Sequence, residues 1–200
     1  MLRGIVPVFS FALLAALFFV QVFLHKKESV ERRDALIERA AKIVFVLGLA
    51  AVLGYYFFLV AAQYSTWKNS NPPLSFLVPP YRSIGYVFYY HFTRFLLYYL
   101  PSFVVSAAIF ISAKYGNKRF GEHFFESGEP YLAAVPLFLL GYPEWNYLWI
   151  PYFLAVLGTV FAVSLFRIIA AKRQERFSPY FLWLPVAIIG IIVSETSVLF

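Results

Sequence analysis

Long apolar runs, each close to or above the ~20 residues that cross a ~30 Å hydrocarbon core as a helix, make up most of this chain. Three of the gaps between them hold thirteen of its seventeen Lys and Arg residues. The first gap carries Lys26, Lys27, Arg32, Arg33, Arg39 and Lys42. The second carries Lys114, Lys118 and Arg119, and the third Arg167, Lys172, Arg173 and Arg176. Basic residues near the ends of membrane spans stay on the cytoplasmic side. Placing all three gaps there dictates how the chain threads a bilayer.

The chain is 62% hydrophobic and 14% charged, against roughly 25% charged for an average soluble domain. Its 200 residues make one integral membrane domain, 1–200, with no room for a separate soluble one. The net charge of +7 sits at span ends, where anionic lipid attracts it, and does not form the groove or stripe that nucleic acid requires. The expected partners are the lipid bilayer and other membrane proteins, with no nucleic acid. With no cysteine, disulfides, thiolate catalysis, zinc–cysteine and iron–sulfur sites are excluded. Three scattered histidines (His25, His91, His123) make no histidine-rich metal centre. Phosphate loops, HExxH and GxSxG elbows are missing too, so neither a metal nor another cofactor is expected.

The fold class expected is all-α: a polytopic helical membrane bundle of six transmembrane helices, one short, with the N-terminus and C-terminus both outside. The spans fall at about 4–24, 43–63, 90–113, 129–143, 147–170 and 179–198. The first run lacks a small-x-small cleavage site and is followed by two lysines, so it reads as a retained span and not a signal peptide. Between the first two spans, pairs such as Glu28–Arg32 and Glu38–Lys42 suit a helical extension standing in water. Ala50 and Gly54 supply a small-xxx-small step for close helix contact. Pro101 predicts a kink in the third span. Residues 64–85 hold two proline pairs and form an external loop anchored by Trp67 and Tyr81. The short run 131–142 could turn back, but that would send the third basic gap outside, so it is expected to cross. A prokaryotic inner membrane is the expected location.

Ionisable residues near a bilayer are costly and therefore functional candidates. His91, Arg94 and Glu195 stand at the outer ends of the third and sixth spans. Arg94 reaching lipid headgroups and Glu195 reaching water is the plain reading, with an Arg94–Glu195 ion pair or a ligand or proton site as the sharper ones. Glu122, Glu126 and Glu129 follow i, i+4, i+7 spacing on the cytoplasmic side. They read as a solvated acidic face balancing nearby lysines, with a divalent cation as the sharper alternative. Ser127, Glu129 and Pro130 form a sound helix start, with Ser127 able to cap.

The carboxyl-terminal half carries a resemblance. Phe125-Glu126-Ser127-Gly128-Glu129-Pro130-Tyr131-Leu132-Ala133-Ala134 opens a short helix ending LLGYPEW. A long apolar run, a basic gap and Phe177-Ser178-Pro179-Tyr180-Phe181-Leu182 follow. This order is similar to the type IV prepilin peptidases. There, a glycine-rich loop ending in a catalytic aspartate opens such a helix, and a phenylalanine-glycine-proline-phenylalanine segment opens the last span. Small members place a first aspartate after the first span, where this chain has Asp34. The resemblance makes Asp34 and Glu129 the candidate catalytic pair, two carboxylates activating one water. The chain departs from the family in several ways: glutamate replaces the second aspartate, only Gly128 remains of the glycine pattern, and no isoleucine-proline-asparagine follows Asp34, the sole aspartate.

The function expected is therefore a non-catalytic membrane assembly or binding component of prepilin-peptidase-like layout. A membrane carboxylate peptidase using Asp34 and Glu129 is the first alternative. The second is the substrate-binding subunit of a small-molecule transporter. Six spans and the Ala12–Ala16 spacing resemble the vitamin-binding subunits of energy-coupling-factor transporters, which would bind at the outer aromatic cluster around His91 and Arg94.

Overall fold

A computed structural model describes residues 4–27, 29–119, 125, 128–169 and 178–197. All its regular elements are helical. They are α1 (Ile5–Lys27), α2 (Val30–Lys68), a 3-10 turn (Leu74–Leu77), α3 (Gly85–His91), a π-helical turn (Phe92–Leu96) and α4 (Leu97–Arg119). Then come α5 (Glu129–Leu139), a 3-10 turn (Pro143–Trp145), α6 (Trp149–Ile169), a 3-10 turn (Pro179–Phe181) and α7 (Trp183–Ser197). Helices pair their own backbone groups, which hydrocarbon demands because it offers no other partner. Five stretches are long and apolar enough to cross a membrane: Ile5–Lys27, Arg32–Lys68, Gly85–Arg119, Trp149–Ile169 and Pro179–Thr196. Their outer faces are as apolar as their inner ones, with Phe19 72% and Phe161 70% exposed. Exposed apolar surface on this scale marks contact with lipid, and the whole is a helical membrane bundle.

The helical extension expected between the first two spans is the amino-terminal part of α2, and Lys42 Nζ donates to Glu38 Oε1 at 2.6 Å. Glu28 lies outside the described residues. At 39 residues, α2 is ~58 Å long and reaches well beyond a hydrocarbon core. Pro101, where a kink is expected, stands inside α4, and a separate irregularity precedes it. The chain makes the wide π turn at Phe92–Leu96 and continues as α-helix through Pro101.

The segments flanking the three basic gaps meet at one end of the bundle, called here the basic end. His25 of α1 packs edge-on to Phe181, Arg33 of α2 lies over the Tyr180 ring, and Gly128 sits against Ile37. Asn117 of α4 closes a two-bond clamp on the Phe125 backbone, at 2.5 and 2.7 Å. From this end α5 runs parallel to α2 and antiparallel to α4.

Helix α5 occupies the middle of the bundle. Of its eleven residues all but Tyr131 are buried, as expected of a helix that is apolar all round. Its length, ~16 Å, is about half a hydrocarbon core. The short segment expected at 129–143 holds a buried helix at 129–139 followed by a turn. Ser106 Oγ donates to Ala134 O at 2.7 Å, and Ser102 Oγ to Phe138 O at 3.4 Å. The Ser102 hydroxyl is shared with Tyr99 O at 2.9 Å in its own helix, and the Phe138 carbonyl also accepts from Gly141 N at 3.1 Å.

Close approach of α2 to α5 is made at Gly48, where an added Cβ would stand 2.7 Å from Leu139. The Ala50–Gly54 step does not serve this purpose, since Gly54 faces open space. At the far end of α5, a Cβ on Gly141 would stand 2.9 Å from Tyr99 and 3.1 Å from the Ser102 Cβ. Gly141→Val should therefore destabilise the bundle by ~1–3 kcal/mol through overpacking. Gly158→Ala, in open space, should leave the detergent unfolding midpoint essentially unchanged. Equal midpoints for the two variants would contradict this packing.

Candidate functional site

At the basic end four segments bring polar groups together inside an otherwise apolar bundle. Gln21 and His25 come from the last turns of α1, and Arg33, Asp34 and Ile37 from the start of α2. Gly128 and Glu129 open α5, and Ser178 to Trp183 lead into α7. The Ser178-Pro179 pair starts the 3-10 turn as a serine cap should, its Oγ accepting from Tyr180 N at 3.2 Å. The Tyr180 carbonyl accepts from Gln21 Nε2 at 2.7 Å. One residue of this turn is thus held through both backbone groups, and its ring lies under the Arg33 guanidinium, 5.5 Å from the centroid.

Glu129 sits at the centre of this arrangement and is 0% exposed. Its Oε1 accepts from Trp183 Nε1 at 3.3 Å, and its Oε2 from Ser178 Oγ at 3.4 Å. A buried carboxylate is costly unless hydrogen-bonded. Here it also sits in the first turn of α5, where unpaired backbone N–H groups and the helix dipole favour negative charge. The expectation of a solvated acidic face does not hold for Glu129, because α5 starts at this residue and points it into the bundle. Glu122 and Glu126 lie outside the described residues, as do His123 and Ser127. The helix cap is Gly128, one residue later than Ser127.

Asp34 has a different setting. Its Oδ1 accepts from Arg33 Nε at 3.3 Å, and the side chains of Arg33 and Asp34 are 11% and 12% exposed. Arg33 Nη1 also lies 3.1 Å from His25 Nδ1, which can accept from it only as the tautomer unprotonated at that nitrogen. Asp34 and Glu129 nevertheless stand on touching segments: a Cβ on Gly128 would lie 3.9 Å from the Asp34 carbonyl. The backbones meet, with Arg33 among the donors to Asp34, and Ser178 and Trp183 among those to Glu129. Among the described residues, no group of three or more His, Cys, Asp or Glu side chains is placed to hold a metal ion.

The outer candidates do not form one site. Arg94 Nη1 donates to Tyr90 Oη, and its guanidinium lies 4.0 Å from the centroid of the Tyr90 ring. Glu195 Oε1 accepts from Trp145 Nε1 at 2.7 Å. Each half of the ion pair that membrane depth allows is engaged elsewhere. Arg94 is on the π turn, while Glu195 closes against the loop between α5 and α6. His91 is buried, and its Nε2 has no hydrogen-bond partner among the described residues.

Gln21, Arg33, Ser178, Tyr180 and Trp183 belong to the polar cluster without having stood out as site residues. Two local signals point to them. Gln21 is an amide inside the first apolar run, one turn before His25, and Ser178-Pro179 is a cap sequence that opens the last one.

Searches of protein-family models, curated proteins and solved structures give no match to this chain.

The Trp183–Glu129 bond can be weighed against an internal control. Trp183→Phe keeps most of the ring and removes one hydrogen-bond donor from a buried carboxylate. It should cost ~1–3 kcal/mol. Trp149 Nε1 is buried with no hydrogen-bond partner among the described residues, so Trp149→Phe should change stability by less than ~0.5 kcal/mol. Chemical denaturation of both variants in detergent checks the difference, and a reversed order would refute the assigned role of Trp183.

Proposed function

We propose that the protein is a multi-pass inner-membrane protein of a prokaryote with the layout of the type IV prepilin peptidases, acting as a non-catalytic assembly or binding component. In this proposal six segments thread the bilayer, with both ends outside and the basic end in the cytoplasm. The observation that carries it is the state of Glu129. This residue stands where the family's second catalytic aspartate would stand, yet it is 0% exposed and hydrogen-bonded to Ser178 and Trp183. A general base must reach a water beside its substrate, and a carboxylate enclosed in this way does not. The layout is supported by the convergence of the three segments behind the resemblance: the Asp34 region, Gly128-Glu129-Pro130 and Ser178-Pro179-Tyr180-Phe181.

A carboxylate peptidase using Asp34 with Glu129 is the second reading, favoured by the contact of Gly128 with the Asp34 backbone. The two readings separate in proteoliposomes containing a prepilin with its leader. The non-catalytic reading predicts no leader removal by the wild-type chain and no change in Asp34→Asn or Glu129→Gln. Wild-type cleavage abolished by both substitutions would establish the peptidase instead.

A further inference from the structure

Between α2, α4 and α5 a lateral groove of about 600 Å³ opens on the side of the bundle. Its floor is made of small residues, Ala41, Ser106, Ala107 and Ala134, and its walls include Phe45, Phe103 and Phe110. The hydroxyl of Ser106 is already donated to Ala134 O at 2.7 Å. The groove therefore presents an apolar channel along most of its length. Its character changes at the basic end, where Lys42, Lys114 and Tyr131 form the mouth.

Among the described residues the mouth carries an excess of positive charge. Lys42 pairs with Glu38 at 2.6 Å and lies 5.4 Å from the centroid of the Tyr131 ring. Glu38 Oε1 also accepts from Tyr131 Oη at 2.8 Å. Lys114 lies over the Phe110 ring, 5.7 Å from the centroid, and makes no ion pair among the described residues. Among the described residues two cations thus face one carboxylate, an arrangement that favours an anion beside the second.

We infer that this groove holds one anionic phospholipid of the leaflet at the basic end, its phosphate at Lys42 and Lys114 and one acyl chain along Phe45, Phe103 and Phe110. The length of the groove favours lipid over a partner's transmembrane helix. Phe103 to Lys114 is three turns of α4, ~16 Å, which matches one leaflet of a ~30 Å core, whereas a spanning helix needs the full depth. Basic pockets between membrane helices are suited to anionic headgroups for the same electrostatic reason. The volume falls within the ~300–1,000 Å³ of small-molecule sites.

The test uses the full chain, delipidated in detergent, with one-to-one adducts counted by native mass spectrometry. The probes are dioleoyl-phosphatidylglycerol, dioleoyl-phosphatidylcholine and glycerol phosphate. Phosphatidylglycerol should be retained about fivefold over phosphatidylcholine, the contribution of roughly one unpaired lysine near a charged headgroup. Lys114→Gln should remove that preference, and Ala107→Phe, which fills the channel, should reduce retention of both lipids. Lys118→Gln, on the same helix but outside the groove, should change nothing. Equal retention of the two lipids, or a preference that survives Lys114→Gln, would overturn the assignment. So would displacement of phosphatidylglycerol by glycerol phosphate alone, which would make the mouth a site for free phosphate.

Discussion

The rest of the bundle is arranged around the burial of α5, a short helix apolar on every side and tipped by a carboxylate. Hydrocarbon gives such a helix no reason to prefer protein to lipid, so its place is set by close packing and by polar contacts. Packing is supplied by Gly48 and Gly141, which let α2 and α4 approach. Polar contacts are supplied by Ser102 and Ser106 along its length, and by Ser178 and Trp183 at Glu129. Because Glu129 needs donors, the turn before α7 must lie against the start of α5. Because Tyr180 is held in that turn, α1 and α2 are drawn in through Gln21 and Arg33.

The coarse fold was legible in the sequence because its signals are local. Apolar runs of the right length give helices in a bilayer, and described segments beside the three basic gaps meet at one end. The helical extension before the second span followed from charge spacing, and Lys42 and Glu38 are indeed paired. Two features were not legible for a shared reason. Whether α5 lies inside the bundle, and which glycine its neighbours approach, depends on tertiary packing that hydropathy does not record. Ala50–Gly54 and Gly48 look alike as sequence, yet only Gly48 faces α5.

The site was legible to a lesser degree. Glu129 and Asp34 were found through the order of segments in the chain, and both stand at the basic end. Their roles depend on what surrounds them: Trp183 lies 54 residues from Glu129 and Tyr180 lies 159 from Gln21. No spacing rule reaches that far. The Arg94–Glu195 pair failed for a related reason. Membrane depth places residues on one level but does not bring them together around the bundle, and Tyr90 and Trp145 were closer partners.

The central claim is that Glu129 is a sealed structural carboxylate. Labelling of intact protein in detergent with a water-soluble carbodiimide and an amine, read out residue by residue by mass spectrometry, tests it most directly. Glu38, whose side chain is 37% exposed, should be modified readily. Glu129 should stay unmodified until the protein is unfolded. Modification of Glu129 in the folded protein at a rate comparable with Glu38 would show that water reaches it, and would contradict the claim.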